Sequence, residues 1–362
     1  MVRLMRTGLI AISLLLLAPS ARAANLETGG TNYAAYDLGR YATDPTAANW
    51  TFKDSDQGSI RMVLAAYDLH PDVVQNQLQA ICRAGQKKIG LPVWFYHTGG
   101  AGGSIDSTGG VMQARDQNNT KNVVSLIANL KNDQGASCFN EIQFRFVPLS
   151  QVNPTTWSSW NESLYNENKS FIFTARDLVL STVAASSLKV YFDLGTEQGG
   201  VDTGQNSPYL ERLWQDYTTR FGTADTYGYS IAWDPGRFKK LMAVYDRVGK
   251  RPTQHAVDLY DPNNQGIKPQ LEALYTEMQQ TGETGTPILI QETYFNDQKA
   301  FSEITETALK LTMNIRTIMQ WQVTRSDFFR ADGEFRHFST VKPDYLYFAS
   351  HPSDLNADGK VD

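Results

Sequence analysis

Short apolar segments alternate with longer amphipathic segments along most of this chain, from about residue 58 to residue 323. The short segments are rich in β-branched and aromatic residues, as buried strands are, and the longer ones have helical periodicity. Strands are predicted at Ile60–Tyr67, Ile89–Tyr96, Ile142–Pro148, Lys189–Leu194, Thr226–Trp233, Gln254–Tyr260, Ile288–Glu292 and Ile318–Val323. Helices are predicted at Pro71–Ala84, Val123–Lys131, Phe171–Ala185, Tyr209–Phe221, Phe238–Val248, Lys268–Gln280 and Phe301–Met313. Eight strands with helices between them predict an α/β fold, a single-domain (β/α)₈ TIM barrel over residues 24–350.

A doubly wound open sheet has the same alternation of strands and helices. Such sheets bind phosphate through a Gly-rich turn directly after the first strand, and no such turn follows Ile60–Tyr67. The Gly-rich residues 99–103 follow the second strand and have neither the spacing of that motif nor a helix close behind. We therefore favour the barrel, with residues 99–103 in a rim loop. The polar residues 24–56 are expected to wrap the barrel bottom or its first strand.

The first 23 residues have the pattern of a secretory signal peptide. Arg3 and Arg6 precede the apolar run Leu9–Ala18, and Ala21 and Ala23 frame a cleavage site. The apolar run is well short of the roughly 20 residues that span a bilayer. We expect cleavage after Ala23 and a secreted or periplasmic mature protein without a membrane span.

The two cysteines, Cys82 and Cys138, each lie at or just past the end of a predicted helix and shortly before a predicted strand. Consecutive helix-to-strand loops of a barrel are neighbours at its bottom rim, so a bridge between the two is geometrically plausible. An oxidising compartment permits a disulfide. We expect that disulfide, and two buried thiols are the alternative.

The charge and composition of the chain favour a neutral substrate. A net charge of −5 argues against nucleic acid or an acidic membrane surface as the main partner. The 17 Tyr, 17 Phe and 7 Trp provide faces on which sugar rings stack, although aromatic residues also simply fill a core. We expect a carbohydrate substrate and a monomeric protein.

Two glutamates follow apolar strand segments at the end of the barrel where active sites lie. Glu197 follows the fourth predicted strand, and Glu292 ends the seventh. Two carboxyl groups that face each other can hydrolyse a glycosidic bond, because one protonates the leaving oxygen while the other attacks the anomeric carbon or activates water. Either glutamate alone is more readily an ion-pair partner than a catalytic group, but the pair on these two strands favours catalysis.

Glutamates at the ends of strands four and seven resemble the motif of a large clan of retaining glycoside hydrolases built on this barrel, which includes cellulases, mannanases and β-xylosidases. The resemblance covers the architecture of nearly the whole mature chain. It implies that Glu197 is the general acid/base, that Glu292 is the nucleophile, and that no cofactor is required. The clan usually has Asn directly before the acid/base, where it binds the sugar 2-hydroxyl. Here that position is Thr196, whose hydroxyl can also form a hydrogen bond.

The resemblance extends to two aromatic positions. Tyr260 ends the sixth strand, where the clan often has a Tyr that hydrogen-bonds the nucleophile; the alternative is a rim aromatic. Trp321 lies in the eighth strand, where an aromatic side chain commonly forms the floor of the subsite next to the scissile bond.

Three further residues are candidates for substrate contacts at the barrel mouth. Asp68 follows the first predicted strand, His97 follows the second, and Trp233 ends the fifth. Asp68 and His97 are placed to bind sugar hydroxyls or to support Glu292, and Trp233 is placed to contact a sugar ring. Such an Asp or His is more often an ordinary rim residue, and Trp233 is equally consistent with anchoring its loop to the barrel.

The C-terminal residues 351–362 resemble the start of a dockerin or EF-hand calcium loop. Asp354, Asn356 and Asp358 supply oxygen ligands at its first, third and fifth positions, and Gly359 stands at its turn position. The chain stops before the closing acidic ligand, so we expect Ca²⁺ to bind only weakly. The alternative is a polar tail that binds no calcium. A complete module of this kind would bind a scaffold partner.

Three functions remain open on this basis. The first is a secreted glycoside hydrolase that cleaves β-glycosidic bonds of a poly- or oligosaccharide with retention of configuration. The second is a catalytically inactive carbohydrate-binding barrel, which Thr196 keeps open. The third is a scaffold-tethered calcium-binding protein that acts through its tail.

Overall fold

Eight parallel barrel strands form in the described part of the chain, the fifth of them in two short pieces. The structure is a computed structural model, and it describes residues 26–37, 60–83, 85–98, 104–260, 266–293 and 298–321. In chain order the barrel strands are Gly30–Asn32, Lys88–Tyr96, Glu141–Pro148, Lys189–Asp193, Thr226–Gly228 with Ile231–Ala232, His255–Asp258, Ile288–Glu292 and Ile315–Gln320. They are called barrel strands one to eight below.

The sheet closes on itself through its fifth strand. Barrel strand one pairs with strands two and eight. At the two ends of the sheet, Thr226–Gly228 pairs with strand four and Ile231–Ala232 pairs with strand six. Both ends therefore lie on one segment of the chain, and the fold is the predicted (β/α)₈ barrel.

Seven longer helices each connect one barrel strand to the next within the described ranges. Together with the single turn Val63–Ala66, the α-helices are Pro71–Arg83, Ala114–Asn129, Glu162–Val183, Asn206–Phe221, Arg237–Val248, Lys268–Thr281 and Gln298–Leu311. Local signals fix their ends: Asn161 caps Glu162–Val183 by accepting the Leu164 N–H at 3.1 Å, and Gly249 ends Arg237–Val248 in the left-handed conformation. Of the helices described, none combines the length and the apolar character needed to cross a membrane.

The prediction for the first barrel strand is wrong. Of the segment Ile60–Tyr67, only Ile60–Met62 is a strand, and it pairs antiparallel with Ala35–Asp37 outside the barrel sheet. Barrel strand one is Gly30–Asn32, a segment too short and too polar to show an apolar pattern. A Cβ atom on Gly30 would lie 1.8 Å from the Lys88 carbonyl oxygen, so only glycine permits this close approach of strands one and two.

The outer face of the sheet forms the hydrophobic core with the helices. In barrel strand three, Ile142, Phe144 and Phe146 occupy every second position and are fully buried in that core. Phe95 of strand two stacks on Phe171 of the helix Glu162–Val183, with 4.6 Å between ring centroids. Each such buried side chain contributes about 1.5–3 kcal/mol by leaving water.

The inner face of the same strand is polar. Glu141, Gln143 and Arg145 alternate with the apolar positions, and all three are buried inside the barrel. Glu141, at the N-terminal end, accepts bonds from Arg316 at 2.9 and 2.8 Å and lies 3.5 Å from the Lys88 ammonium. Barrel interiors are usually layers of branched apolar side chains. Here, ion pairs occupy both ends of the interior.

The predicted disulfide joins Cys82 and Cys138. Cys82 lies in the last turn of the helix Pro71–Arg83, and Cys138 lies just before barrel strand three. Their Cα atoms are 5.2 Å apart at the N-terminal end of the strands, away from the barrel mouth.

Candidate active site

Glu292 ends barrel strand seven, and its side chain is buried at the C-terminal end of the barrel. Its Oε2 accepts a hydrogen bond of 2.6 Å from the Tyr260 hydroxyl, and its Oε1 accepts one from Arg145 Nη1. Each carboxylate oxygen therefore has its own donor, and the two donors together fix the orientation of the group.

Glu197 lies in the turn that follows barrel strand four. Its backbone has a φ of 58°, in the left-handed region, which costs a residue other than glycine roughly 1–3 kcal/mol. Its N–H donates to Ser230 Oγ at 2.8 Å, which helps to hold this conformation, and its side chain is exposed at the barrel mouth. Strained backbone of this kind often positions a reactive side chain.

The carboxyl groups of Glu197 and Glu292 face each other across the mouth. One carboxylate oxygen from each of Glu197, Asp258 and Glu292 lies within 4.8 Å of the other two. Retaining glycosidases hold their two carboxyl groups about 5–5.5 Å apart, whereas inverting ones need about 6.5–9.5 Å for an intervening water. The nearest oxygens of Glu197 and Glu292, within 4.8 Å of each other, are closer than the spacing that an inverting pair needs.

The environment of Glu197 favours its protonated form. Solvent reaches its side chain, but protein atoms crowd its carboxyl group, and this partial desolvation is the main cause of its raised pKa. Repulsion from the nearby Glu292 raises the pKa of Glu197 further. A carboxylic acid that keeps its proton above the usual range is suited to general acid catalysis.

Arg145 supplies the positive charge beneath the two glutamates. Besides Glu292, its guanidinium donates to Asn32 Oδ1 at 3.0 Å and to Asp258 Oδ2 at 3.1 Å, and its Nε lies 3.7 Å from Asp193 Oδ2. Burial by itself would lower the pKa of Arg145, but the three carboxylates outweigh that effect and raise it well above the usual value. Clustered carboxylates also suit a divalent cation, but here a guanidinium already contacts two of the three that converge at the mouth.

The two tryptophans predicted as sugar contacts are anchored beside this site. The backbone N–H of Trp321 donates to the Thr293 carbonyl oxygen at 2.8 Å, and the backbone N–H of Trp233 donates to the Asp258 carbonyl oxygen at 3.0 Å. Both indoles are half-buried. Trp321 also packs edge-on against Trp94, with 6.3 Å between ring centroids, so a pair of indoles lies beside barrel strands two and eight.

Thr196, directly before Glu197, does not offer its hydroxyl to solvent. Its Oγ1 is buried and has no hydrogen-bond partner among the described residues, while its N–H donates to the Phe146 carbonyl oxygen at 2.8 Å. A hydrogen bond from this hydroxyl to a sugar therefore requires the side chain to rotate.

The other two predicted rim residues have protein partners. His97 Nδ1 lies 2.8 Å from Glu167 Oε2, and its ring is partly exposed. The prediction that Asp68 follows a barrel strand is wrong, because that segment lies outside the barrel sheet. Its carboxylate accepts bonds of 2.9 and 2.8 Å from Arg115 and one of 2.8 Å from Asn119.

Sequence reasoning missed three residues at the barrel mouth, namely Arg145, Trp94 and Glu167. Arg145 left a signal, since it is a single cation in the middle of the apolar segment Ile142–Pro148. Trp94 was hidden inside another apolar strand. Glu167 lies in a helix far along the chain from His97, so its role depends on tertiary structure.

Several predictions fall outside the described residues. They are the signal peptide of residues 1–23, the loop of residues 99–103, and the calcium ligands Asp354, Asn356 and Asp358 of the C-terminal tail. Each of these stays a prediction.

The chain is similar in fold to solved structures of GH5 proteins. The sequence matches no protein-family model and no curated protein. A GH5 xyloglucanase from Bacteroides ovatus, solved with a XXXG heptasaccharide, is 11% identical with a TM-score of 0.54, covering 93% of this chain and 76% of that one. A GH5_18 variant from Streptomyces cattleya, solved with Manb1-4GlcNAc, is 11% identical with a TM-score of 0.52, covering 92% and 82%. A GH5_18 variant from Bifidobacterium longum, solved with the same sugar, is 11% identical with a TM-score of 0.50, covering 82% and 76%. At these identities the likeness shows that this chain shares their barrel fold.

Proposed function

We propose that this protein is a glycoside hydrolase that cleaves β-glycosidic bonds with retention of configuration. The observation that carries the proposal is the pair of carboxyl groups on Glu197 and Glu292, whose oxygens approach within 4.8 Å at the barrel mouth. They follow barrel strands four and seven, and they have different surroundings, one exposed and one buried and doubly hydrogen-bonded. Different environments are what assign different roles to two carboxyl groups.

In the first step, the Glu197 carboxylic acid donates its proton to the glycosidic oxygen while Glu292 attacks the anomeric carbon. The bond to the leaving sugar breaks, and an ester forms between Glu292 and the remaining sugar. The Tyr260 hydroxyl and the Arg145 guanidinium hold the Glu292 carboxylate for this attack. In the second step, ionised Glu197 takes a proton from water, which displaces Glu292 and restores both groups.

The proposed substrate is a β-linked glucan, xyloglucan or mannan, or an oligosaccharide of one of these. The solved structures of similar fold include a xyloglucanase with a heptasaccharide and two variants with Manb1-4GlcNAc. The indoles of Trp94, Trp321 and Trp233 give the mouth the aromatic faces on which pyranose rings stack. The signal-peptide pattern of residues 1–23 supports the further proposal that the enzyme works outside the cytoplasm.

One observation favours a second candidate, a sugar-binding barrel without turnover. The clan usually places a sugar-binding Asn where this chain has Thr196, and the hydroxyl of Thr196 is buried. If that contact is missing, the transition state loses a hydrogen bond that the clan relies on.

The experiment that separates the two candidates compares hydrolysis with binding. The wild-type protein, Glu292→Gln and Glu197→Gln are assayed on β-glucan, xyloglucan and mannan, and the exposed Glu306→Gln serves as a matched control. We expect Glu292→Gln to lose at least about a thousandfold in kcat and to bind the substrate as wild type does in calorimetry. Sugar binding by the wild type without turnover favours the binding barrel, and full activity in Glu292→Gln rejects the proposed site.

A further inference from the structure

The polar cluster beneath the proposed catalytic pair holds more acidic than basic groups. Among the described residues, Arg145 is the one cation in direct contact with the carboxylates of Asp193, Asp258 and Glu292. With all three acids ionised, this buried cluster would carry two net negative charges. Uncompensated buried charge costs several kcal/mol, so at least one of the acids is expected to hold a proton.

Asp193 has the surroundings of an ionised carboxylate. Its Oδ1 accepts hydrogen bonds from the N–H groups of Gly195 at 3.2 Å and Ser230 at 3.1 Å. The side-chain amide of Gln291 has one orientation that provides partners for both its nitrogen and its oxygen. In that orientation, the amide nitrogen lies 3.2 Å from Asp193 Oδ2, and the amide oxygen accepts a hydrogen bond from Arg145 Nε at 3.1 Å. Both oxygens of Asp193 therefore have donors.

Asp258 has far fewer donors. It is 1% exposed, and Arg145 Nη2 donates to its Oδ2 at 3.1 Å. Its Oδ1 is buried and accepts no hydrogen bond from any described residue. Burying an ionised carboxylate oxygen without a hydrogen-bond donor costs the full free energy of its hydration. Burying a neutral carboxylic acid costs much less, because its hydration free energy is smaller.

Among the residues that the structure describes, six charged or titratable groups surround Asp258. They are Arg145 on strand three, Asp193 and Glu197 from strand four and its turn, Tyr227 on strand five, Tyr260 beyond its own strand, and Glu292 on strand seven. Burial raises the pKa of both aspartates, more strongly for Asp258, where repulsion from Glu292 adds to the effect.

We propose that Asp258 is a positioning residue that stays protonated while the enzyme works, so that the buried cluster carries a single negative charge, that of Glu292. The catalytic part of this inference rests on the proposed function. In the resting enzyme, the positive charge of Arg145 offsets the negative charge of Asp193. The negative charge of Glu292 therefore remains for the attack on the sugar. When Glu292 forms its ester, the cluster becomes neutral. An ionised Asp258 would instead leave one uncompensated buried charge beside the intermediate.

The charge state of Asp258 can be measured without any substrate. Native capillary electrophoresis at neutral pH compares the wild type with Asp258→Asn, and Asp133→Asn, at an exposed turn, calibrates the loss of one charge. Since asparagine mimics a protonated aspartate, we expect Asp258→Asn to migrate with the wild type, while Asp133→Asn migrates as a protein with one negative charge fewer. In concentrated urea the mobilities of both variants should differ equally from that of the wild type, because an unfolded aspartate is ionised at neutral pH. If native Asp258→Asn migrates with native Asp133→Asn instead, the inference is overturned.

Activity provides the second measurement. We expect the pH profile of kcat/KM in Asp258→Asn to keep the alkaline limb of the wild type at the same pH, because the charge of the cluster does not change. An alkaline limb moved to lower pH means that Asp258 works as an anion and contradicts the inference. If no variant or wild type hydrolyses sugar, the electrophoretic result still stands, so the two proposals fail separately.

Should Asp258→Asn not fold, the wild type itself carries the test. Infrared spectra of protein with isotope-labelled aspartate, recorded near pH 8, should contain a carboxylic acid band. That pH lies above the raised pKa of Asp116, which is about 6, so Asp116 does not contribute. The Asp193→Asn variant should keep the band. Absence of the band from the wild type, or its loss in Asp193→Asn, rejects the assignment.

Discussion

At the scale of single residues, the proposed nucleophile is held by two donors of different kinds. The Tyr260 hydroxyl and the Arg145 guanidinium each take one oxygen of Glu292. A hydrogen bond to a charged group contributes about 1.5–3 kcal/mol. Glu292 is therefore positioned before the substrate arrives. The entropic cost of ordering its side chain arises when the protein folds, not when the substrate binds.

Replacing Tyr260 with Phe removes one of these donors and keeps the ring. We expect kcat to fall about 10- to 100-fold, as the loss of one charged hydrogen bond implies, while KM changes little. Steady-state kinetics on the best substrate measures the effect. Tyr275→Phe, on an outer helix, is the matched control and should keep wild-type kinetics. Equal kinetics for the two variants would show that Tyr260 does not support Glu292 in catalysis.

The raised pKa of Glu197 sets the alkaline side of the pH profile. A general acid must be protonated, so kcat/KM should fall as the pH rises through the pKa of Glu197, above the usual value of about 4.3 for a glutamate. In Glu197→Gln, assayed with a substrate whose leaving group needs no proton, this limb should disappear. Persistence of the same limb in that variant assigns it to another group.

Part of this site could be predicted from the sequence, and part could not. Glu197 and Glu292 were predicted because they stand at the ends of apolar strands, which meet at the barrel mouth, and Tyr260 was predicted from the resemblance to the clan. Arg145 was not, because its strand looks apolar and only the register of strand three turns it inward. The hydrogen bond between Tyr260 and Glu292 was implied by the resemblance to the clan and not by the spacing of the two residues, because spacing does not give atomic positions.

At the scale of elements, six of the eight barrel strands were predicted in place, because buried β-branched segments between amphipathic helices are strong signals. The eighth strand, Ile315–Gln320, begins three residues before the predicted Ile318–Val323, so Trp321 directly follows this strand and does not lie in it. Barrel strand one was missed, because Gly30–Asn32 has no apolar alternation and relies on the close approach at Gly30. The helix Glu162–Val183 begins nine residues before the predicted start of Phe171, where the Asn161 cap, not an apolar residue, sets its beginning.

The disulfide links the helix Pro71–Arg83 to the entry of barrel strand three, far from the mouth. Its cysteines are 56 residues apart, so replacing Cys82 and Cys138 with Ala should cost about 2–4 kcal/mol of unfolding free energy. Urea unfolding measures this cost. At a temperature where the variant is folded, kcat should match the wild type. An unchanged urea midpoint would mean that the disulfide does not stabilise the folded protein relative to the unfolded chain.

At the scale of the whole molecule, the barrel interior combines two ion-pair networks. Lys88, Glu141 and Arg316 occupy its N-terminal end, and Arg145 with its carboxylates occupies the mouth. Between them, Gln143 and Gln291 line a middle layer of polar side chains. The sequence pattern did not reveal this polar interior. Along each strand the inward side chains alternate with apolar side chains of the outer core, and the apolar ones dominate the hydropathy of the segment.

The lower network gives a prediction for stability and its dependence on pH. Burial alone would raise the pKa of Glu141, but Lys88 and Arg316 outweigh it and lower that pKa. Glu141→Gln leaves both cations short of a partner and should cost about 3 kcal/mol at neutral pH. The contribution is full above the unfolded value of about 4.3 and is lost as the pH falls through the lower folded value. The difference in urea midpoint between wild type and variant should therefore narrow below about pH 4. A difference independent of pH would contradict an ionised Glu141.

The proposed mechanism depends on attack of Glu292 on the sugar, and trapping the covalent intermediate probes that step itself. A 2-fluoro glycoside with a reactive leaving group slows both steps but keeps the first faster than the second, so an ester on the nucleophile accumulates and can be located by peptide mass spectrometry. We expect one glycosyl group on the peptide that contains Glu292 in the wild type and in Glu306→Gln, and none on that peptide in Glu292→Gln. An adduct on another residue, or turnover that gives a product of inverted configuration, would contradict the mechanism.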